Sequence, residues 1–170
     1  MKKTTGFTLI EIVITMSIMV ILVSLGVAKF TQYGLQQKQK AAIARMRQVF
    51  QEAKANAVSG KKDCAVCGGS DEICNGGADE LPLTGWSVNV FDGTHYQLRG
   101  ECGINSEFMV RDEVLPARIE RAGPCNFNKL LFKPDGTTNI SSNSCRIYIV
   151  GLPSLYIRSS GAIFEPTPTP

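Results

Sequence analysis

Gly6-Phe7-Thr8-Leu9-Ile10-Glu11 opens an apolar run that continues to Ala28. Within 7–28 the only charged residue is Glu11; the rest are Ile, Val, Leu, Met, Phe and small residues, relieved by Thr8, Thr15, Ser17 and Ser24. A bilayer core about 30 Å thick needs about 20 apolar residues of helix, and this run supplies them. Lys2 and Lys3 precede it and Lys29 follows it. The pattern predicts a single transmembrane helix over 7–28. The basic leader stays in the cytoplasm, and everything after Lys29 lies outside it.

Glu11 is the residue that asks for a reason. A carboxylate within a span costs about 2.5–3.5 kcal/mol on insertion scales, so it normally has a partner and a role. No cation shares its span. Cleavage between Gly6 and Phe7 would create one: a new α-amino group four residues before Glu11. On a neighbouring copy that ammonium can pair with the carboxylate where the dielectric is low and the attraction strong. Such a helix carries a rule for staggered self-assembly. An ordinary secretory signal with cleavage near Gly26-Val27-Ala28 would place Glu11 badly in its apolar region. A plain signal anchor would leave it unexplained.

The short basic leader ending in Gly6, followed by Phe7-Thr8-Leu9-Ile10-Glu11 and an apolar helix, resembles the class III signal of type IV pilins and pseudopilins. The resemblance covers about the first 30 residues. It implies a prepilin peptidase that cuts after Gly6 and methylates the amine of Phe7, with Glu11 as the acidic assembly residue. It also implies a substrate of that peptidase rather than an enzyme. The partners it implies are other pilin or pseudopilin subunits, an inner-membrane assembly platform and the lipid bilayer. The implied location is the cytoplasmic membrane, with the globular part outside, and then an extracytoplasmic filament.

Beyond leader and span about 140 residues remain, enough for one domain with one core. The formal charge of the chain is +3, and Lys2 and Lys3 leave with the leader, which lowers it to +1. So near-neutral a molecule has no general field for nucleic acid. From Lys29 to Val58 there is no proline, and Ala, Gln, Lys, Arg and Met dominate. Ile43, Met46, Phe50, Ala53 and Ala57 recur at spacings of three and four, which predicts that the span continues over 29–59 as an amphipathic helix docked on a domain. Phe7 to Val58 would then measure about 75–80 Å, with weak points at Gly26 and Gly34. Gly60 is the expected cap.

Residues 61–81 read as an irregular loop, with Gly68-Gly69 and Gly76-Gly77 breaking any regular element. Eight short strands follow in a meander: 86–91 and 95–99 as a hairpin around Asp92-Gly93, then 108–110, 117–120, 129–133, 146–150, 155–158 and 162–165. Pro134-Asp135-Gly136 reads as a turn, and 166–170, Pro-Thr-Pro-Thr-Pro, as an extended tail. The expected class is α+β: a long N-terminal helix packed on a β-rich globular domain at 60–165. That is the pilin layout. Leu131-Phe132-Lys133-Pro134-Asp135-Gly136 and Tyr156-Ile157-Arg158-Ser159-Ser160-Gly161-Ala162-Ile163 also resemble the globular domain of the GspH/FimT group of minor pseudopilins and pilins. Some members of that group are thought to bind DNA through basic residues after the last glycine. Here Ala162, Ile163 and Phe164 follow Gly161, so that route to phosphate is missing.

Cys64, Cys67, Cys74, Cys102, Cys125 and Cys145 all fall after the span, where disulfides form. Three disulfides with fifteen possible connectivities are expected to staple the 61–81 loop and tie nearby strands. Cys64-x-x-Cys67 also has the spacing of a redox pair or half a zinc site. The acidic residues of 71–80 do not fit a calcium loop and read as solvated. His95, the only histidine, falls in a hairpin strand. No catalytic residue, metal ligand set or cofactor is expected. The function read from the sequence is a structural subunit of a type IV pilus or a type II secretion pseudopilus. The alternative is a pilin-type binding module that captures DNA or a surface.

Overall fold

The computed structural model describes residues 8–68, 74, 79–104, 106–122, 129–141, 144–150 and 152–165; at 24–29 it describes the backbone alone. The elements are α1 (Leu9–Val58), α2 (Cys64–Cys67), β1 (Leu83–Phe91), β2 (His95–Cys102), β3 (Ser106–Val114), β4 (Glu120–Ala122), β5 (Lys129–Phe132), β6 (Ser144–Tyr148), β7 (Leu155–Arg158) and β8 (Ile163–Phe164). The class is α+β, a helix on antiparallel sheet, as the sequence predicts. Two compact units divide the chain, 1–37 and 38–170, so α1 contributes to both.

The helix continues through Gly26 and Gly34 without interruption. It ends as its last residues dictate. Gly60, at φ +70°, donates to the Ala57 carbonyl at 3.2 Å, and Lys61 donates to that of Asn56 at 3.0 Å. That pair of bonds satisfies carbonyls the helix leaves open, and it needs a residue at ease with left-handed φ. In the second unit the stripe Ile43, Met46, Phe50, Ala53, Ala57 is buried, together with Ala42 and Val49. Opposite it lie Trp86, Val88, Val90, Tyr96, Leu98, Leu130 and Phe132, and all belong to one core cluster with Cys145, Ile147, Leu155 and Ile157. The rings of Phe50 and Phe132 meet at 6.4 Å. Trp86 Nε1 donates to the Lys61 carbonyl at 2.7 Å, which fastens the first sheet to the end of α1.

The strands number eight among the described residues but do not form one meander. They form two four-stranded sheets, β3-β2-β1-β5 and β4-β6-β7-β8. The chain leaves the first sheet for β4, returns for β5, then completes the second. The expected strand at 117–120 is also corrected. Leu115 N–H donates to the Thr94 carbonyl at 2.6 Å and Ile119 N–H to that of Gly93 at 2.8 Å. Residues 115–119 therefore satisfy the β1–β2 turn, and pairing begins only at Glu120, opposite Tyr148. The irregular loop is corrected too, because Asp63 caps a single helical turn, α2, by accepting from Ala65 N–H at 3.0 Å.

Across the first sheet Trp86, Gly100 and Phe108 stand in register. A Cβ at residue 100 would sit 2.0 Å from Phe108 Cζ. Glycine there lets the Phe108 ring drop onto the edge of Trp86, at 5.4 Å and 90°.

Candidate functional site

Helix α1 starts at Leu9, which puts Glu11 in its first turn. The backbone N–H groups of Glu11 and Ile12 both donate to the Thr8 carbonyl, at 3.1 and 3.3 Å. A carboxylate here faces the positive end of the helix dipole, and Thr8-x-x-Glu11 has the spacing of a capping box. Sequence reading missed this second stabilisation of Glu11, although the spacing was there to be read. Gly6 and Phe7, the expected cleavage and methylation positions, lie outside the described residues.

On both sides of Glu11 the described residues of the first unit present apolar side chains to the outside. Leu9, Ile10, Ile12 to Ile14, Met16, Ile18 to Val23, Phe30, Tyr33 and Leu35 are all exposed. Two hydroxyls there bond back to the helix: Thr15 Oγ1 donates to the Ile12 carbonyl at 2.9 Å and Ser17 Oγ to that of Val13 at 2.8 Å. These two donors are satisfied within the helix, so neither needs water as a partner. Among the described residues no helix is long and apolar enough to cross a membrane. The described apolar side chains of the run stop at Val23, short of the 7–28 span read from the sequence.

In the second unit charged residues clamp the helix to the first sheet. Arg45 Nη2 donates to Glu113 Oε2 at 2.6 Å, and Arg45 Nε to Tyr96 Oη at 3.2 Å. Tyr96 Oη donates to the same Glu113 oxygen at 2.6 Å. Hydrogen bonds from Tyr96 and Arg45 hold the Glu113 carboxyl below its usual range. Burial, then the bond to Glu113, pushes the Tyr96 phenol up. Arg111 forms a two-pronged pair with Glu52, at 2.7 and 3.2 Å, which pushes its guanidinium up. The helix residues lie 51 to 68 residues from their sheet partners, so periodicity gives no sign of them.

The cysteines pair across the motif rather than within it. Cys64 bonds Cys74, with Cα atoms 5.3 Å apart, and Cys67 bonds Cys102, at 5.7 Å. Both members of Cys64-x-x-Cys67 are thus engaged elsewhere, which removes the redox-pair reading. Cys145 is disulfide-bonded too, and Cys125 lies outside the described residues. Among the described residues no three His, Cys, Asp or Glu side chains gather as metal ligands. His95 lies on β2, bonded through Nε2 to Asp112 and 5.7 Å from the Phe91 ring. In the acidic loop Glu80 pairs with Lys62, while 71–73 and 75–78 lie outside the described residues.

The two stretches around Gly136 and Gly161 meet. A Cβ at Gly161, where φ is +70°, would sit 2.1 Å from the Gly136 carbonyl oxygen. Lys54 Nζ donates to the Gly161 carbonyl at 2.9 Å, and Thr138 N–H to that of Ser159 at 2.8 Å. Two turns and one helix side chain form a single joint. Beside α1 a groove of about 320 Å³ runs past Ile43, Ala44, Arg47 and Gln51 to Leu152, Pro153 and Glu165. Arg47 pairs with Glu165 at 3.2 Å.

No curated protein and no solved structure matches the chain. A family model, the prokaryotic N-terminal methylation motif, matches residues 1–27. That family is structural rather than enzymatic, and its motif implies an inner-membrane-anchored precursor, processed by prepilin peptidase and assembled with other pilin subunits. The chain thus opens with the class III signal of type IV pilins and pseudopilins, and it continues into a helix packed on antiparallel sheet.

Proposed function

We propose that the protein is a structural filament subunit, a minor pilin or pseudopilin, with no catalytic role of its own. It is held in the membrane through 7–28, cut after Gly6 and methylated on Phe7. It is then drawn into a filament in which the α1 helices pack together. One observation supports this above the rest: the exposed apolar side chains of α1 begin at Leu9, inside the matched signal, with Glu11 set among them. In the filament, contact between helices replaces contact with lipid. Glu11 then answers the free amine of an adjacent subunit and fixes the stagger. The joint at Gly136 and Gly161 supports the narrower reading as a GspH/FimT-type minor subunit, since it makes the two resembling stretches one unit.

The test separates processing from assembly. Glu11→Ala should be cut at the wild-type rate yet enter filaments at no more than a tenth of the wild-type level, read by immunoblot of sheared filaments. Wild-type yield would remove the assembly role. A bulky residue at Gly6 should leave an uncut precursor on a gel, and normal processing would overturn the leader.

A further inference from the structure

The second sheet has an outward face that assembly through α1 does not use. Arg146 on β6 stands opposite Tyr156 on β7, and Tyr156 opposite Phe164 on β8. The rings of Tyr156 and Phe164 lie 5.6 Å apart and within 22° of parallel. The Arg146 guanidinium lies 4.8 Å from the Tyr148 ring centre, and that of Arg158 lies 4.8 Å from the Phe164 ring centre. The alternate residues Cys145, Ile147, Leu155 and Ile157 are buried in the core, so this row turns away from it. Both arginines are exposed and the three rings half-buried. Arg158 pairs with no carboxylate among the described residues.

Flat rings flanked by guanidiniums offer apolar faces and N–H donors; Arg146 Nε is engaged by Ser154 Oγ at 2.8 Å, and exposed Glu120, in register with Tyr148 on β4, borders the face as an acceptor. The ligand that complements such a surface is apolar and rich in acceptors. A polyproline-II segment is both. It has no internal hydrogen bonds, its carbonyls need outside donors, and proline rings dock in aromatic-lined grooves. Pro166-Thr167-Pro168-Thr169-Pro170 has three prolines without N–H, and it begins two residues after Phe164. β8 is the edge strand of its sheet. Five such residues span about 15 Å, and β6 lies two strand spacings from β8, about 10 Å.

We propose that the outward face of the second sheet, formed by Tyr148, Tyr156, Phe164, Arg146 and Arg158, is a binding site for a polyproline-II segment. Its occupant is 166–170 of the same chain. The tether raises the local concentration to the millimolar range, so weak contacts suffice. The site is independent of the filament reading.

Tyrosine nitration by tetranitromethane, mapped by mass spectrometry on the full chain in detergent micelles, tests it. Tyr148 and Tyr156 should react at least threefold faster in a chain ending at Glu165. They should do the same in the triple variant Pro166→Gly, Pro168→Gly, Pro170→Gly. Exposed Tyr33 and buried Tyr96 should react as before, and unchanged Trp86 emission would show that the fold is retained. Excess Pro-Thr-Pro-Thr-Pro peptide should restore protection to the shortened chain. Equal rates in all three chains would overturn the proposal. So would protection that rises with protein concentration, which would mean a second copy's tail. Protection of the shortened chain by a single-stranded oligonucleotide or an anionic polysaccharide, where the peptide gives none, would assign the face to another partner and overturn it as well.

Discussion

Glu113 accepts from Tyr96 and Arg45 at one oxygen, and those bonds hold its carboxyl below the usual range. The sign of the pH effect follows. A carboxyl depressed in the folded state adds stability above its unfolded value, near 4.5, and that stability is lost as pH falls through the folded value. The group is more than a third exposed, so solvent screening keeps the effect at about 1 kcal/mol or less. Glu113→Gln should therefore lower the melting temperature at pH 7, and the gap from wild type should close below about pH 4. Thermal scans at both pH values check this. Phe50 and Met46 were legible as core residues because apolar side chains repeat with the helix period. Glu113 was not: its partners come from β2 and α1, and only the folded topology joins them.

The elements were legible where local chemistry decides them. Gly60 ended α1 as its position promised, and 155–158 matched β7 residue for residue, between turn residues on both sides. Prediction failed where a distant partner overruled the local pattern. Ala117 to Ile119 alternate like a strand, but their backbone is taken by the β1–β2 turn. Residues 64–67 lie among glycines, yet Asp63 and two disulfides hold a helical turn. In the first sheet, Gly100 shares its register with two aromatic residues. Gly100→Ala would force the Phe108 ring off Trp86, an overpacking cost of about 1–3 kcal/mol. The urea midpoint should fall accordingly with m unchanged, while an unchanged midpoint would show that the ring moves freely.

At the scale of the molecule, the signal at 1–27 was readable in full and the two-sheet arrangement was not. The reason is that strand order depends on where the chain crosses between sheets, and turn residues do not record the crossing. The disulfides differ in reach for the same reason. Cys64–Cys74 closes 10 residues, while Cys67–Cys102 closes 35 and ties the α2 turn to the end of β2. Loop-closure entropy gives about 3 kcal/mol to the first and about 4 to the second. Replacing Cys67 and Cys102 together by Ala should cost more than replacing Cys64 and Cys74, measured by denaturant unfolding. Cys67 and Cys102 are wholly buried, so mild reductant should open Cys64–Cys74 first, as trapped thiols would show.

Among the described residues the first buried side chain of α1 is that of Ala42, and the exposed apolar side chains of the first unit end at Leu35. The boundary between the two compact units falls in the short interval between them. Oily and water-loving duties are thus divided along one helix with almost no overlap. A polypeptide beginning at Lys38 would keep every buried apolar side chain among the described residues and leave behind the exposed apolar row of the first unit.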